Sequence, residues 1–194
     1  MISFAFVTNE KAFLISQTTL SRSIIRLKES KEEVININNI LLNVSGKQGD
    51  SYRLQLYIEN EAKYLQKSLE CEITQELITS LLKKHIYEKL RTRNPYEVDG
   101  MVLGMNSEKQ LTLTHVDNYG ATNETKYVTS NYGIYFLYGI FDSYYKNNMN
   151  EGECMNLINL CIKTLKEKLI LDTNSWRVDV ISNEGRHEYK YLSF

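Results

Sequence analysis

The stretch Val44-Ser-Gly-Lys-Gln-Gly-Asp-Ser51 carries the residue types of a phosphate cradle. It holds two glycines, a lysine and two hydroxyls between the apolar run Ile40-Leu-Leu-Asn-Val44 and a helical pattern. A phosphate loop runs G-x-x-x-x-G-K-[ST], with lysine after the second glycine and a hydroxyl next to it. Here Lys47 follows the first glycine and Asp50 follows the second. A carboxylate at the helix start would repel a phosphate from the dipole meant to attract it. The nucleotide reading fails on order, and a strand-to-helix turn with Asp50 as N-cap accounts for every letter.

The other reactive types are scattered. His85, His115 and His187 are far apart, and no zinc-type spacing joins them to Cys71, Cys154 or Cys161. Three cysteines in helical patterns read as buried, reduced thiols of a cytosolic or nuclear protein. Thr18 and Thr19 offer adjacent hydroxyls, but β-branched residues also suit the end of a strand. Neither a cofactor nor a metal is called for.

The elements around these residues are legible from periodicity. Residues 2–8 and 12–18 are apolar runs split by Asn9-Glu-Lys11, which predicts a hairpin. Residues 34–38 alternate and 40–44 form another apolar run, with a charged, exposed loop predicted at 26–33 before them. Helices are expected at about 50–70, capped by Asp50, and at about 74–93, capped by Thr74 and stopped by Pro95. A second hairpin is predicted from 98–105 and 110–116. Two more helices follow at 133–145 and 151–169, and a closing hairpin at 176–182 and 186–192.

Strands, two helices, strands, two helices and strands do not make a doubly wound parallel sheet, which requires strict alternation. The order fits an α+β fold: two helix pairs covering a largely antiparallel sandwich, in a single domain spanning 1–194. Runs such as Phe13-Leu-Ile15 are apolar on both faces, as strands buried between a helix layer and a second sheet must be. A net charge of −1 gives no footprint for nucleic acid or an anionic membrane, and no apolar run approaches a membrane span.

Strand, Gly46-x-x-x-Asp50, helix at this place resembles a proteasome beta-type subunit. So do Arg91-Thr-Arg-Asn-Pro-Tyr96 followed by the strand at 98–103, and Tyr132-Gly133 leading into Ile140-Phe-Asp-Ser-Tyr-Tyr145. The closing hairpin with Gly185 adds to this, and the likeness covers essentially the whole chain. Within that family the sequence is most similar to the inactive subunit at the fourth position of the beta ring, the beta-type-2 subunit of animals. That subunit starts directly with its first strand and carries an R-[ST]-R-x-P-Y segment. The resemblance implies a four-layer αββα sandwich, the Ntn-hydrolase fold.

Active members of the family cleave with an N-terminal threonine whose own amine is the base, tuned by a lysine, two aspartates and two serines. The resemblance places Met1 at the nucleophile, Gln17 at the aspartate ending the second strand, and Glu33 at the lysine. It places Tyr132 at the loop serine, Leu169 at the later aspartate, and Asp172 at that aspartate's serine partner. Gly46 alone is retained, where the family uses a backbone amide in the oxyanion hole. A carboxylate in place of the lysine would hold an amine protonated, the wrong state for a base. Processing at Thr18 would put Asp50 at the lysine position and remove the first strand from the sandwich.

The implied role is therefore a non-catalytic ring component. Its partners would be the third- and fifth-position beta subunits, the alpha ring and the opposite beta ring, with no nucleic acid and no membrane, in cytoplasm and nucleus. The alternatives are an active threonine peptidase subunit of the same fold, another inactive ring position, or an unrelated binding protein. Clustered tyrosines at 132, 135, 138, 144 and 145 divide evenly between core and interface by pattern alone.

Overall fold

The computed structural model describes residues 2–22, 25–29, 34–68, 70, 72–169 and 175–193, with 20–22 and 25–29 described by backbone alone. In chain order the elements are β1 (Ser3–Val7), β2 (Lys11–Gln17), β3 (Thr19–Arg22), β4 (Ile25–Glu29), β5 (Val34–Ile37) and β6 (Ile40–Gly46). Helices α1 (Gln48–Ser68) and α2 (Gln75–Leu90) follow, then β7 (Val98–Met105), β8 (Leu111–Val116), β9 (Thr122–Glu124) and β10 (Tyr127–Thr129). The chain continues through α3 (Ile134–Tyr144), α4 (Glu151–Lys168), β11 (Ser175–Ser182) and β12 (His187–Ser193).

Two five-stranded antiparallel sheets face each other. One has the order β10-β1-β2-β11-β12 and the other β5-β6-β7-β8-β9, with β3 and β4 pairing separately. The period-2 pattern explains the layers. Phe4, Phe6, Phe13, Ile15, Trp176 and Val178 face α3 and α4, while the alternate residues Ala5, Ala12, Leu14 and Ile181 meet Leu41, Met101, Leu103 and Leu113 between the sheets. Leu42, Val44 and Val102 turn outward onto α1 and α2, against Leu54, Ile58, Ile78 and Leu82. This is the αββα sandwich. Aromatic rings gather on one side of the core: Phe141 stands 5.1 Å from Tyr127, 6.0 Å from Phe6 and 6.1 Å from Phe4, and Phe4 is 5.9 Å from Trp176.

Local signals explain most boundaries. Thr74 accepts from the Leu77 amide at 3.3 Å and caps α2. Asn150 and Glu153 form a reciprocal capping box at the start of α4. Asn38 and Asn39, both at positive φ, make the tight turn between β5 and β6.

Several expectations need correction. Asp50 is not the cap of α1: the helix begins at Gln48, and the Asp50 amide already donates to the Lys47 carbonyl at 2.9 Å. Its carboxylate lies 3.5 Å from Arg53 instead. The helix starts earlier because the turn at Gly46 leaves Lys47 positioned to accept the first helical bonds.

The charged segment expected as a loop at 26–33 contains a strand over Ile25–Glu29, paired with Thr19–Arg22 through a bulge. The alternation Ile25-Arg-Leu-Lys-Glu29 is a strand pattern that the charges masked, and 30–33 lie outside the described residues. β9 and β10, three residues each, carry too little periodicity to be read. The tyrosines divide as the pattern allowed: Tyr132, Tyr135 and Tyr144 are exposed, while Tyr138 and Tyr145 pack on Tyr127.

Cys154 and Cys161 are free and buried on α4, as expected; Cys71 lies outside the described residues. Burial pushes their thiols up from 9.0, to about 11 for Cys154 and about 12 for Cys161. Iodoacetamide at pH 8 should therefore leave both unmodified in the native protein and alkylate both in urea, read by peptide mass mapping. In the unfolded chain these thiols ionise near 9.0, so stability held below that pH falls as pH rises toward 11–12. Cys161→Ala should flatten that alkaline loss.

Candidate functional site

The start of β1, the end of β2, the β6–α1 turn and the turn before α3 meet at one end of the sandwich. The Ile2 amide donates to the Gln17 side-chain oxygen at 3.3 Å, and the Gln17 amide donates back to the Ile2 carbonyl at 3.0 Å. Gln17, only 2% exposed, thus grips the chain at the end of β2. Thr18 is spent on structure: its amide and hydroxyl both donate to the Ser175 carbonyl, at 3.0 and 3.1 Å.

One residue on, a polar knot closes between the two sheets. The Ser3 hydroxyl donates to Asn43 Oδ1 at 2.6 Å and lies 2.8 Å from the Ser130 hydroxyl and 3.1 Å from that of Ser45. Ser45 reaches both Asn43 Oδ1 and the Ser130 hydroxyl at 3.1 Å. The Ser3 amide donates to the Ser130 hydroxyl at 3.0 Å, and the Ser130 amide to the Ser3 carbonyl at 2.8 Å. Three hydroxyls and an amide satisfy one another where no apolar packing could accept them singly. Sequence reasoning missed this group. Its signal was a polar residue interrupting an apolar run, Ser3 after Ile2 and Asn43 after Leu42.

Gly46 follows directly. Its φ is +134°, and a Cβ there would sit 2.2 Å from the Glu97 carbonyl oxygen and 2.8 Å from Val98 Cα. No side chain fits, for steric and conformational reasons together. The next amide, that of Lys47, is committed to the Glu97 carbonyl at 2.9 Å.

On the far side, Tyr132 lies in a helical turn over Asn131–Gly133 and is 60% exposed. The turn itself is pressed onto the end of β10 and the residue before β1, since a Cβ on Gly133 would stand 2.2 Å from Thr129 Oγ1 and 3.1 Å from Ile2. Leu169 follows the end of α4, where its amide donates to Leu165, and its side chain packs on the aromatic core rather than entering a polar site. Met1, Glu33 and Asp172 lie outside the described residues. The structure thus brings Gln17, Gly46 and the Tyr132 turn to one place around Ile2 and Ser3.

One titratable group borders the knot. Asp99 pairs in register with Ser45 and is partly buried. Desolvation raises its carboxyl above 3.8, with Asp117 adding to the rise and His115 and a backbone bond from Asn118 opposing it.

A sequence model of the family described as "Proteasome subunit" matches residues 2–181. The chain belongs to the proteasome subunit family. It is 29% identical over 175 residues to the probable proteasome subunit beta type-4 of Encephalitozoon cuniculi, covering 90% of this chain and 88% of that one. It is 22% identical to the proteasome subunit beta type-4 of Saccharomyces cerevisiae, covering 91% and 90%. Over 96% of this chain and 94% of the other it is 21% identical to the proteasome subunit beta type-2-B of Arabidopsis thaliana. The family resemblance read from the sequence is thereby supported over nearly the full length, and the sandwich is the fold of that family.

Two substitutions check this site. Gly46→Ala should destabilise the fold by about 1–3 kcal/mol from backbone strain alone, measured by urea unfolding, with the Cβ clash adding to it. Asp99→Asn should raise stability at neutral pH. A carboxyl raised on folding favours the folded state only at low pH, and that contribution is lost as pH climbs from 3.8 through the folded pKa. A thermal melt series from pH 4 to 8 should show a shallower decline in the variant.

Proposed function

We propose that this proteasome subunit is a non-catalytic member of the beta ring, most similar in role to the fourth-position subunit, and contributes shape and contact surface instead of a nucleophile. The observation that carries the reading is the closed polar group beside Gln17 and Gly46, two of the positions that the resemblance matches to the family's active site. Ser3, Asn43, Ser45 and Ser130 bond to one another, and Gln17 spends its side-chain oxygen on the Ile2 amide. A catalytic hydroxyl needs a base within hydrogen-bond reach. None of these hydroxyls has a histidine, lysine or carboxylate among its partners in the described residues. At the matching positions the sequence supplies Glu33 for the family's lysine and Leu169 for an aspartate.

A ring subunit presents unlike faces to its two neighbours, so the angle between them decides whether the ring closes. The proposed neighbours are the third- and fifth-position beta subunits, with further contacts to the alpha ring and the opposite beta ring, in cytoplasm and nucleus. Tyr132, Ile134 and Tyr135, exposed at 60%, 43% and 79%, put aromatic and aliphatic surface beside the closed site. The described residues contain no helix long and apolar enough to cross a membrane.

Two measurements test this. Native mass spectrometry of the endogenous complex should place the chain in a particle with alpha- and beta-type subunits, and a lone monomer would overturn the assignment. Treating that particle with an epoxyketone or vinyl-sulfone probe should label other subunits and leave this chain unmodified. An adduct on this chain would make it a threonine peptidase.

A further inference from the structure

The second half of α2 and the turn after it carry a charge opposite to that of the whole chain. Residues 83–93 contain five cations, Lys83, Lys84, Lys89, Arg91 and Arg93, against the single carboxylate Glu88, in a protein of net charge −1. All five cations are exposed. Lys83, Tyr87 and Arg91 recur every four residues and, with Lys84, share one stripe of the helix. The Arg91 guanidinium lies over the Tyr87 ring, 5.7 Å from its centroid, and donates to its hydroxyl at 3.3 Å.

The acidic groups around this stripe are turned to other work. Glu88 faces His85 at 3.7 Å, and Glu61 holds the other nitrogen of His85 at 2.7 Å. Asp117 on the adjoining turn accepts the amides of Tyr119 and Ala121 at 2.9 and 2.7 Å. That turn abuts the helix, since a Cβ on Gly120 would sit 3.3 Å from the Lys83 carbonyl. It also holds up Tyr119, which is 64% exposed, beside the stripe. Among the described residues no carboxylate forms an ion pair with Lys83, Lys84, Lys89, Arg91 or Arg93.

We infer that Lys83, Lys84, Tyr87, Arg91, Arg93 and Tyr119 form a docking platform for an acidic surface of another protein subunit. Arginine and tyrosine are among the side chains enriched at protein interfaces, and exposed cations without carboxylate partners steer a complementary negative face into register. A protein is favoured over nucleic acid because the remainder of the chain is net negative and would repel a long polyanion beyond this patch. The inference rests on the reading of the chain as an assembled subunit and names the chemistry of one of its contacts.

Zero-length carbodiimide cross-linking of the native endogenous complex, followed by peptide mass spectrometry, should join Lys83 or Lys84 to an aspartate or glutamate of another subunit. The charge reversal Lys83→Glu/Lys84→Glu/Arg93→Glu, expressed beside the wild-type chain, should enter the complex at least about tenfold less than wild type. The neutral Lys83→Gln/Lys84→Gln variant should fall between them. These positions are exposed and unpaired, so a thermal melt matching wild type separates lost docking from lost folding. A wild-type chain assembled normally, with no such cross-link and with the reversed variant incorporated equally, overturns the platform while leaving the subunit role standing. A wild-type chain found in no complex overturns the subunit role itself. Cross-links to nucleic acid at these lysines would overturn the choice of partner.

Discussion

Burial of the central strands on both faces is the constraint from which the rest follows. β1, β2, β6 and β7 each send alternate residues to a helix layer and to the opposing sheet, so every position must be apolar or hydrogen-bonded within the core. Phe4 and Ala5, neighbours in sequence, are both fully buried in different layers. A polar side chain enters such a strand only with partners fixed in advance. Ser3, Asn43, Ser45 and Ser130 meet that condition together, and none could meet it alone.

The same constraint shapes the functional reading. A hydrolytic site needs a polar group whose hydrogen bonds are unfinished until substrate arrives, held in a fold that tolerates the cost. Here the polar atoms of Ser3, Asn43, Ser45 and Ser130 complete one another's bonds. Gly46 keeps the tight turn because the Glu97 carbonyl leaves no room for a side chain, a reason independent of any oxyanion. The steric demand of the turn thus requires glycine there whatever chemistry the surrounding side chains perform.

On the proposed non-catalytic reading, the surface is where the chain acts on other molecules. Exposed aromatics gather at the turn before α3, and cations gather on α2. Their exposure has different causes. Tyr135 lies on the outer side of a helix whose inner side is fixed by Leu137 and Phe141, and the α2 cations lie opposite Ile78, Leu82 and Ile86. Each helix spends one stripe on the core, leaving the other open to partners.

The sequence by itself determined the layers, because period-2 and period-3.6 patterns are local: the β7 boundaries, the Thr74 cap and the stripe along α2 were all legible. It also determined that no phosphate loop exists, since that depends on residue order alone. It misjudged Asp50 and Ile25–Glu29, where a helix start shifted by a glycine turn and a short alternation under heavy charge each gave an ambiguous local signal. Only the tertiary structure decided the site. Ser3, Asn43 and Ser130 are separated by 40 and 127 positions along the chain from Ser3. Hydrogen bonds between such residues exist only once two sheets have stacked, so a polar residue in an apolar run marks a member of the group and not its partners.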